Sequence, residues 1–133
     1  MILLDTHTLL WMDRDDEALG GQSRRLIEQA WKTGTVAVSA VSFWESALLA
    51  QHGRIKLPVA IETWRIALLQ AGIQEIALNG HIALLACSLD YEPRDPADRF
   101  IIASAVHHNA LLITADSQML NWQSELERHD ARS

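Results

Sequence analysis

Two short apolar runs, each closed by an aspartate, constrain this chain most. Met1-Ile2-Leu3-Leu4 ends at Asp5, and Leu111-Leu112-Ile113-Thr114-Ala115 ends at Asp116. Runs of this length with no polar alternation are the signature of strands buried on both faces, which occur in parallel sheets covered by helices. Thr35–Val38 and Ile73–Leu78 supply two further strand candidates, and Ala110–Thr114 is the strand of the second run.

Helical patterns fill the intervals. Thr6 is the expected cap of a short helix containing Leu9, Leu10 and Trp11. Arg14–Gly21 reads as a loop, and Ser23–Lys32 as a helix with Leu26, Ile27, Ala30 and Trp31 on one face. A third helix begins between Ser39 and Ser42, with Ser42 and Glu45 at capping-box spacing. Pro58 is expected in the first turn of a fourth helix reaching Ala71. Asn79-Gly80 opens a fifth through Leu89, and Asp95-Pro96 begins a sixth as cap and first residue. Strands alternating with helices predict an α/β fold, a three-layer α/β/α sandwich around a mainly parallel sheet. With 133 residues, no repeat and no linker, residues 1–133 are expected to form a single domain with a polar tail from about 121.

Composition narrows the class. A hydrophobic content of 49 % argues for a globular chain and against disorder. No apolar run approaches a membrane span, and no basic region precedes the first apolar stretch, so the expectation is a cytoplasmic protein without a signal peptide. The single cysteine, Cys87, reads as a small core residue in a reducing compartment. A net charge of −6 disfavours broad non-specific binding to nucleic acid. It remains compatible with a nuclease whose metal ions supply the positive charge, and with a basic protein partner.

Four acids carry the chemical signal. Asp5 and Asp116 stand beyond strand ends, where α/β folds build their sites. Glu45 shares a helical face with Val41, Leu48 and Leu49, and the face of Asp98 continues through Ile101, Ile102 and Ala105. Each has an ordinary alternative: Glu45 in a capping box, Asp98 against a helix dipole, Asp116 as a cap. Jointly, carboxylates beside apolar side chains and far from lysine call for a shared cation. Carboxylate oxygens and retained water suit Mg²⁺, with Mn²⁺ a plausible substitute. Such a cluster with its ion fits hydrolysis of a phosphodiester.

These segments resemble a family. Leu3-Leu4-Asp5-Thr6-His7-Thr8-Leu9-Leu10-Trp11 is similar to the opening strand and first acid of PIN domains of the VapC type, the toxin ribonucleases of bacterial toxin–antitoxin pairs. Ser39-Ala40-Val41-Ser42-Phe43-Trp44-Glu45 resembles the second acidic motif. Arg94-Asp95-Pro96-Ala97-Asp98-Arg99-Phe100-Ile101-Ile102-Ala103 resembles the third, and Leu112-Ile113-Thr114-Ala115-Asp116 the fourth. The resemblance spans Met1 to about Leu120. It implies a PIN-like fold, Mg²⁺-dependent endoribonuclease activity on RNA, a homodimer and a cognate antitoxin. Asp5 and Asp98 would be the principal metal ligands, with Glu45 and Asp116 completing the site directly or through water. The family's last apolar strand has only the polar Trp122–Arg128 as its counterpart, so that edge is expected to be shortened or replaced by a helical tail.

Around the acids, Thr6, His7, Thr114 and Ser117 are candidates for orienting carboxylates or waters. Arg54, Lys56, Arg94 and Arg99 are the candidate RNA phosphate contacts, with Arg99 alternatively paired to Asp95. Six histidines include no cluster with zinc-ligand spacing. The five tryptophans fall mostly on apolar helical faces, and Trp44, Leu48 and Trp64 are candidates for a two-fold interface. The antitoxin is expected to insert a basic residue among the four acids and to be the route by which DNA is met, if at all. Two rivals share the fold class. A haloacid-dehalogenase-like phosphatase needs an aspartate two positions after Asp5, where His7 stands, and a suitably placed lysine, of which there are only Lys32 and Lys56. A catalytically silent binding module is disfavoured because all four acids are kept.

Overall fold

A computed structural model describes all 133 residues. Five strands make one parallel sheet in the order β3-β2-β1-β4-β5. In chain order the elements are β1 (Ile2–Leu4), α1 (Thr6–Asp13), α2 (Gly21–Lys32), β2 (Val36–Ser39), α3 (Ala40–Gln51), α4 (Ile61–Ala71), β3 (Gln74–Ile76), α5 (Gly80–Ser88), α6 (Pro96–His108), β4 (Leu111–Thr114), α7 (Ser117–Asn121) and β5 (Arg128–Asp130). No helix is long and apolar enough to cross a membrane.

The register explains why the strands lack alternation. Leu3 pairs with Ala37 and Leu112, and these three point to one face. There they meet Ile82 and Ala86 of α5, Ile101, Ile102 and Ala105 of α6, and Met119 of α7. Ile2, Leu4, Val36, Val38 and Ile113 point the other way, against Leu9, Ile27, Trp64 and Leu68 of α1, α2 and α4. Both faces are covered, so every position of β1 is buried. Helix α3 divides its residues, Val41 to the first core and Phe43 to the second.

Several sequence expectations shift at element ends. Asp5, not Thr6, caps α1, its carboxylate accepting from Thr8 N at 2.9 Å. Helix α2 begins at Gly21 with Gly20 as cap, earlier than Ser23. Helix α3 begins at Ala40 behind Ser39, whose hydroxyl accepts from Val41 N. The capping box of Ser42 and Glu45 is therefore absent, because both already lie inside the helix. Helix α4 begins at Ile61, not at Pro58, and its cap Ala60 has no side-chain acceptor. Cys87 is exposed rather than a core residue.

The polar tail forms a strand after all. β5 pairs parallel with β4, Leu112 opposite Arg128 and Thr114 opposite Asp130. The edge is shortened to three residues and begins only at Arg128, the last residue of Trp122–Arg128. Its last residues lie across the start of α2: Gly20 N donates to Ala131 O at 2.8 Å and Ser23 N to Ser133 O at 3.0 Å. A Cβ on Gly20 would stand 2.1 Å from Ser133 C, so only glycine permits that approach.

Candidate active site

Four separate elements deliver acids to one pocket of about 320 Å³ beyond the carboxyl ends of β1, β2 and β4. Its walls include Asp5, Glu45, Asp95, Asp98 and Asp116, together with Thr6, His7, Trp11 and a single cationic side chain, Arg132. Asp5 follows β1, Asp116 follows β4, Glu45 stands in the second turn of α3, and Asp98 in the first turn of α6. The parallel topology causes the convergence, because all three strand ends and the helix starts lie on the same rim.

The carboxylates differ in how they are held. Asp5 is buried; one oxygen accepts from Thr8 N and the other from the Thr114 hydroxyl. That hydroxyl also accepts from Asp116 N at 3.0 Å, which couples two of the acids through one threonine. Asp116 caps α7, a single oxygen accepting from Gln118 N at 2.8 Å and Met119 N at 3.1 Å. The cap reading of Asp116 thus holds, and its second oxygen stays unbonded. Glu45 accepts from the Thr6 hydroxyl, which also shares a hydrogen bond with Ser42 at 3.0 Å. Asp95 caps α6 through Ala97 N and Asp98 N. The carboxylate of Asp98 has no hydrogen-bond partner in the protein.

Negative charge accumulates here, and none of these acids is in an ion pair. Burial raises the Asp5 carboxyl above its usual range, against the lowering effect of its bonds to Thr114 and Thr8. Burial likewise raises Glu45, opposed by Thr6 and reinforced by Asp95. Asp98 is pushed up to about 7, first by burial and then by the negative charges of Asp95, Asp116, Glu45 and Asp5. Just behind the pocket, Tyr91 is pushed up to about 12 by burial and by Asp116 and Asp98. Like charges gathered in a partly desolvated cleft oppose one another's ionisation, and a bound cation would reverse that effect.

The donor set suits a hard divalent ion. The donors are mostly carboxylate oxygens, with one imidazole, that of His7, and no thiolate in the pocket. No three of these side chains stand close enough together to hold an ion between them as the pocket is arranged, so an ion bound by one or two carboxylates would need water for the rest of its shell. Retained water is the habit of Mg²⁺, which dehydrates reluctantly and takes one or two carboxylates.

Residues beyond the acids sort clearly. Thr6 and Thr114 bond Glu45 and Asp5, and His7 is on the wall. Ser117 is exposed, lies outside the pocket lining, and its hydroxyl bonds nothing. Arg54 borders a neighbouring cleft that shares Glu45 and Asp95. Arg94 is exposed with no ion pair, and Lys56 lines a different cleft with Leu10 and Asp13. Arg99 does not fit the phosphate-contact expectation. Its guanidinium donates to the carbonyls of Ala86, Leu89, Tyr91 and Pro93, which closes the end of α5 and leaves it no pairing with Asp95. Trp64 is buried and donates to Asp13, so it cannot serve an interface, whereas Trp44 is 57 % exposed. Sequence reasoning missed Arg132, which lay in a tail without periodicity; Trp11, read with the other tryptophans as core or interface, packs against the second core and also lines the pocket.

Comparison with known proteins places this arrangement. The PIN domain family matches residues 2–122. The chain belongs to the PIN domain family, in its VapC branch. Ribonuclease VapC22 of Mycobacterium tuberculosis is 32 % identical over 119 residues, which covers 89 % of this chain and 88 % of that protein. Among solved structures, VapBC2 from Rickettsia felis bound to a DNA fragment from their promoter aligns with a TM-score of 0.69 at 17 % identity, over 97 % of this chain and 98 % of that chain. A toxin–antitoxin complex from Klebsiella pneumoniae aligns with a TM-score of 0.57 at 22 % identity, covering 88 % of each chain. At those identities the two structures support the fold, and the all-parallel sheet with helices on both faces agrees with them.

Proposed function

We propose that this PIN domain is a Mg²⁺-dependent endoribonuclease, with Mn²⁺ as a substitute, acting as the toxin of a toxin–antitoxin pair. The observation that carries this reading is the convergence of Asp5, Glu45, Asp98 and Asp116 in one pocket, where burial, and then its acidic neighbours, push Asp98 up to about 7. Kinship with Ribonuclease VapC22 supports RNA as the substrate class.

In this reading Asp5 and Asp98 hold the ion, and Glu45 and Asp116 complete its surroundings directly or through water. When bound, Mg²⁺ supplies positive charge against the phosphodiester and makes water nucleophilic at neutral pH. The chain's own contribution is orientation. Thr114 fixes Asp5 and the backbone of Asp116, while Thr6 fixes Glu45, so these three acids present set directions and Asp98 alone has no side-chain bond to orient it. Arg54 and Arg94, exposed beside the third motif, are the remaining candidates for binding RNA phosphates from the original set.

The partner is a basic antitoxin segment that places an arginine or lysine among the four acids, excluding both metal and RNA. Structural neighbours drawn from toxin–antitoxin complexes and a net charge of −6 favour such a partner, which would also mediate any contact with promoter DNA. A homodimer built around exposed Trp44, in the cytoplasm, completes the proposal.

The test is cleavage of an RNA pool by the purified protein at limiting Mg²⁺. Asp5→Asn and Asp98→Asn are each expected to abolish cleavage while circular dichroism stays that of the parent. Full activity in either variant rejects the assignment.

A further inference from the structure

We infer that Arg132 is a built-in anchor for an RNA phosphate at the rim of the acidic pocket. The inference rests on the ribonuclease reading and deepens it by naming how this chain binds a polyanion. Five carboxylates line the pocket, and Arg132 is its one cationic side chain. An incoming phosphodiester is repelled by such a wall unless positive charge meets it. A bound Mg²⁺ would offset the charge inside the pocket, and an arginine at its edge would offset that of the neighbouring phosphate.

The side chain is held ready for that task. Its Nη1 donates to the carbonyl of Ala115 at 2.8 Å, next to Asp116, and its guanidinium lies over the Trp11 ring at 5.5 Å. Such stacking orients a planar guanidinium without consuming its edge donors. Despite the acids nearby, Arg132 forms no ion pair; the three ion pairs of the protein involve Arg14, Arg24 and Arg65. The bond to Ala115 is the only hydrogen bond its guanidinium makes, so Nε and Nη2 are free for a phosphate oxygen.

The backbone beneath it is equally fixed. Ala131 is fully buried, and its N donates to Thr114 O at 2.9 Å. Arg132 N donates to Asp130 Oδ1 at 2.9 Å, and Ser133 N to Asp130 O at 2.9 Å. The segment therefore carries Arg132 on the same sheet that carries Asp5 and Asp116, which keeps the cation and the acids in register.

The experiment uses the full chain and a fluorescent single-stranded RNA that the parent cuts. Arg132→Gln is expected to raise KM about tenfold with kcat nearly unchanged, and to lower the salt slope of RNA binding by about 0.7, the share of one phosphate on a single strand. Arg132→Lys keeps the charge without the fork, and its KM is expected to rise about threefold. Melting temperature and Mg²⁺ affinity should match the parent in both. An unchanged KM and salt slope in Arg132→Gln overturns the inference alone. So does a variant whose sole change is tighter Mg²⁺ binding, since Arg132 would then be a counter-ion for the acids. A parent that neither binds nor cuts RNA overturns the ribonuclease reading and this inference with it.

Discussion

Replacing Asp98 by asparagine is expected to stabilise the metal-free protein, and the size of the gain follows from the pocket. The Asp98 carboxyl, ordinarily near 3.8, is pushed up to about 7 by burial and four neighbouring acids. Ionising it in the fold at pH 8 costs about 4 kcal/mol, at about 1.4 kcal/mol per tenfold change in proton affinity. The side chain is only half-buried, and water across the open pocket screens much of this, leaving about 1–2 kcal/mol. Asparagine keeps the shape and removes the charge. For a chain of this length the melting temperature should rise by about 3–8 °C in EDTA at alkaline pH.

The pH dependence has a definite sign. The folded carboxyl keeps its proton where the unfolded one has lost it, so the parent loses stability as pH rises from about 4 to about 7 and levels off above. Asp5 and Glu45 are raised as well, so the variant keeps a weaker slope in the same direction. Added Mg²⁺ should stabilise the parent by mass action and the variant much less. Below about pH 7 that benefit should shrink, because the ion must displace a proton from Asp98. Thermal unfolding in EDTA and in Mg²⁺, between about pH 5 and 8, reads all of this. A parent whose EDTA melting temperature ignores pH, with Asp98→Asn melting no higher than the parent, refutes the reasoning.

Thr114→Val removes the hydroxyl bond to buried Asp5 and the acceptor for Asp116 N. Urea unfolding should show a loss of about 1–3 kcal/mol, with cleavage falling in step with Mg²⁺ affinity. Gly20→Ala drives a methyl into the backbone of Ser133, so the tail must shift. The expected cost is about 1–3 kcal/mol, and amide exchange should quicken around Ala131 and Arg132 before it does in β1. Arg99→Gln should destabilise by about 2–4 kcal/mol, because it strips donors from four carbonyls around the end of α5. The RNA KM of the folded fraction should not change, which separates this arginine from Arg132.

The sheet and the acid quartet were legible in the chain because both rest on local pattern. A strand buried on both faces must be apolar throughout, so Ile2–Leu4 and Leu111–Thr114 announce themselves, and an acid at the end of each is conspicuous. Asp95-Pro96 marks the start of α6 because a side-chain acceptor and a fixed φ act within two residues. What fails locally depends on partners far along the chain. Thr6 looked like a cap, yet its hydroxyl serves Glu45, 39 residues away. Arg99 looked like a surface charge beside Asp95, yet packing of α5 against α6 surrounds it with unpaired carbonyls, and these outcompete a solvated carboxylate. The tail shows the limit most clearly. Arg128-His129-Asp130 has no strand pattern, because an edge strand needs only backbone bonds to its neighbour and no apolar face of its own. Only the sheet, by offering β4 an open edge, decides that the polar tail becomes a strand and that Arg132 arrives beside Asp116.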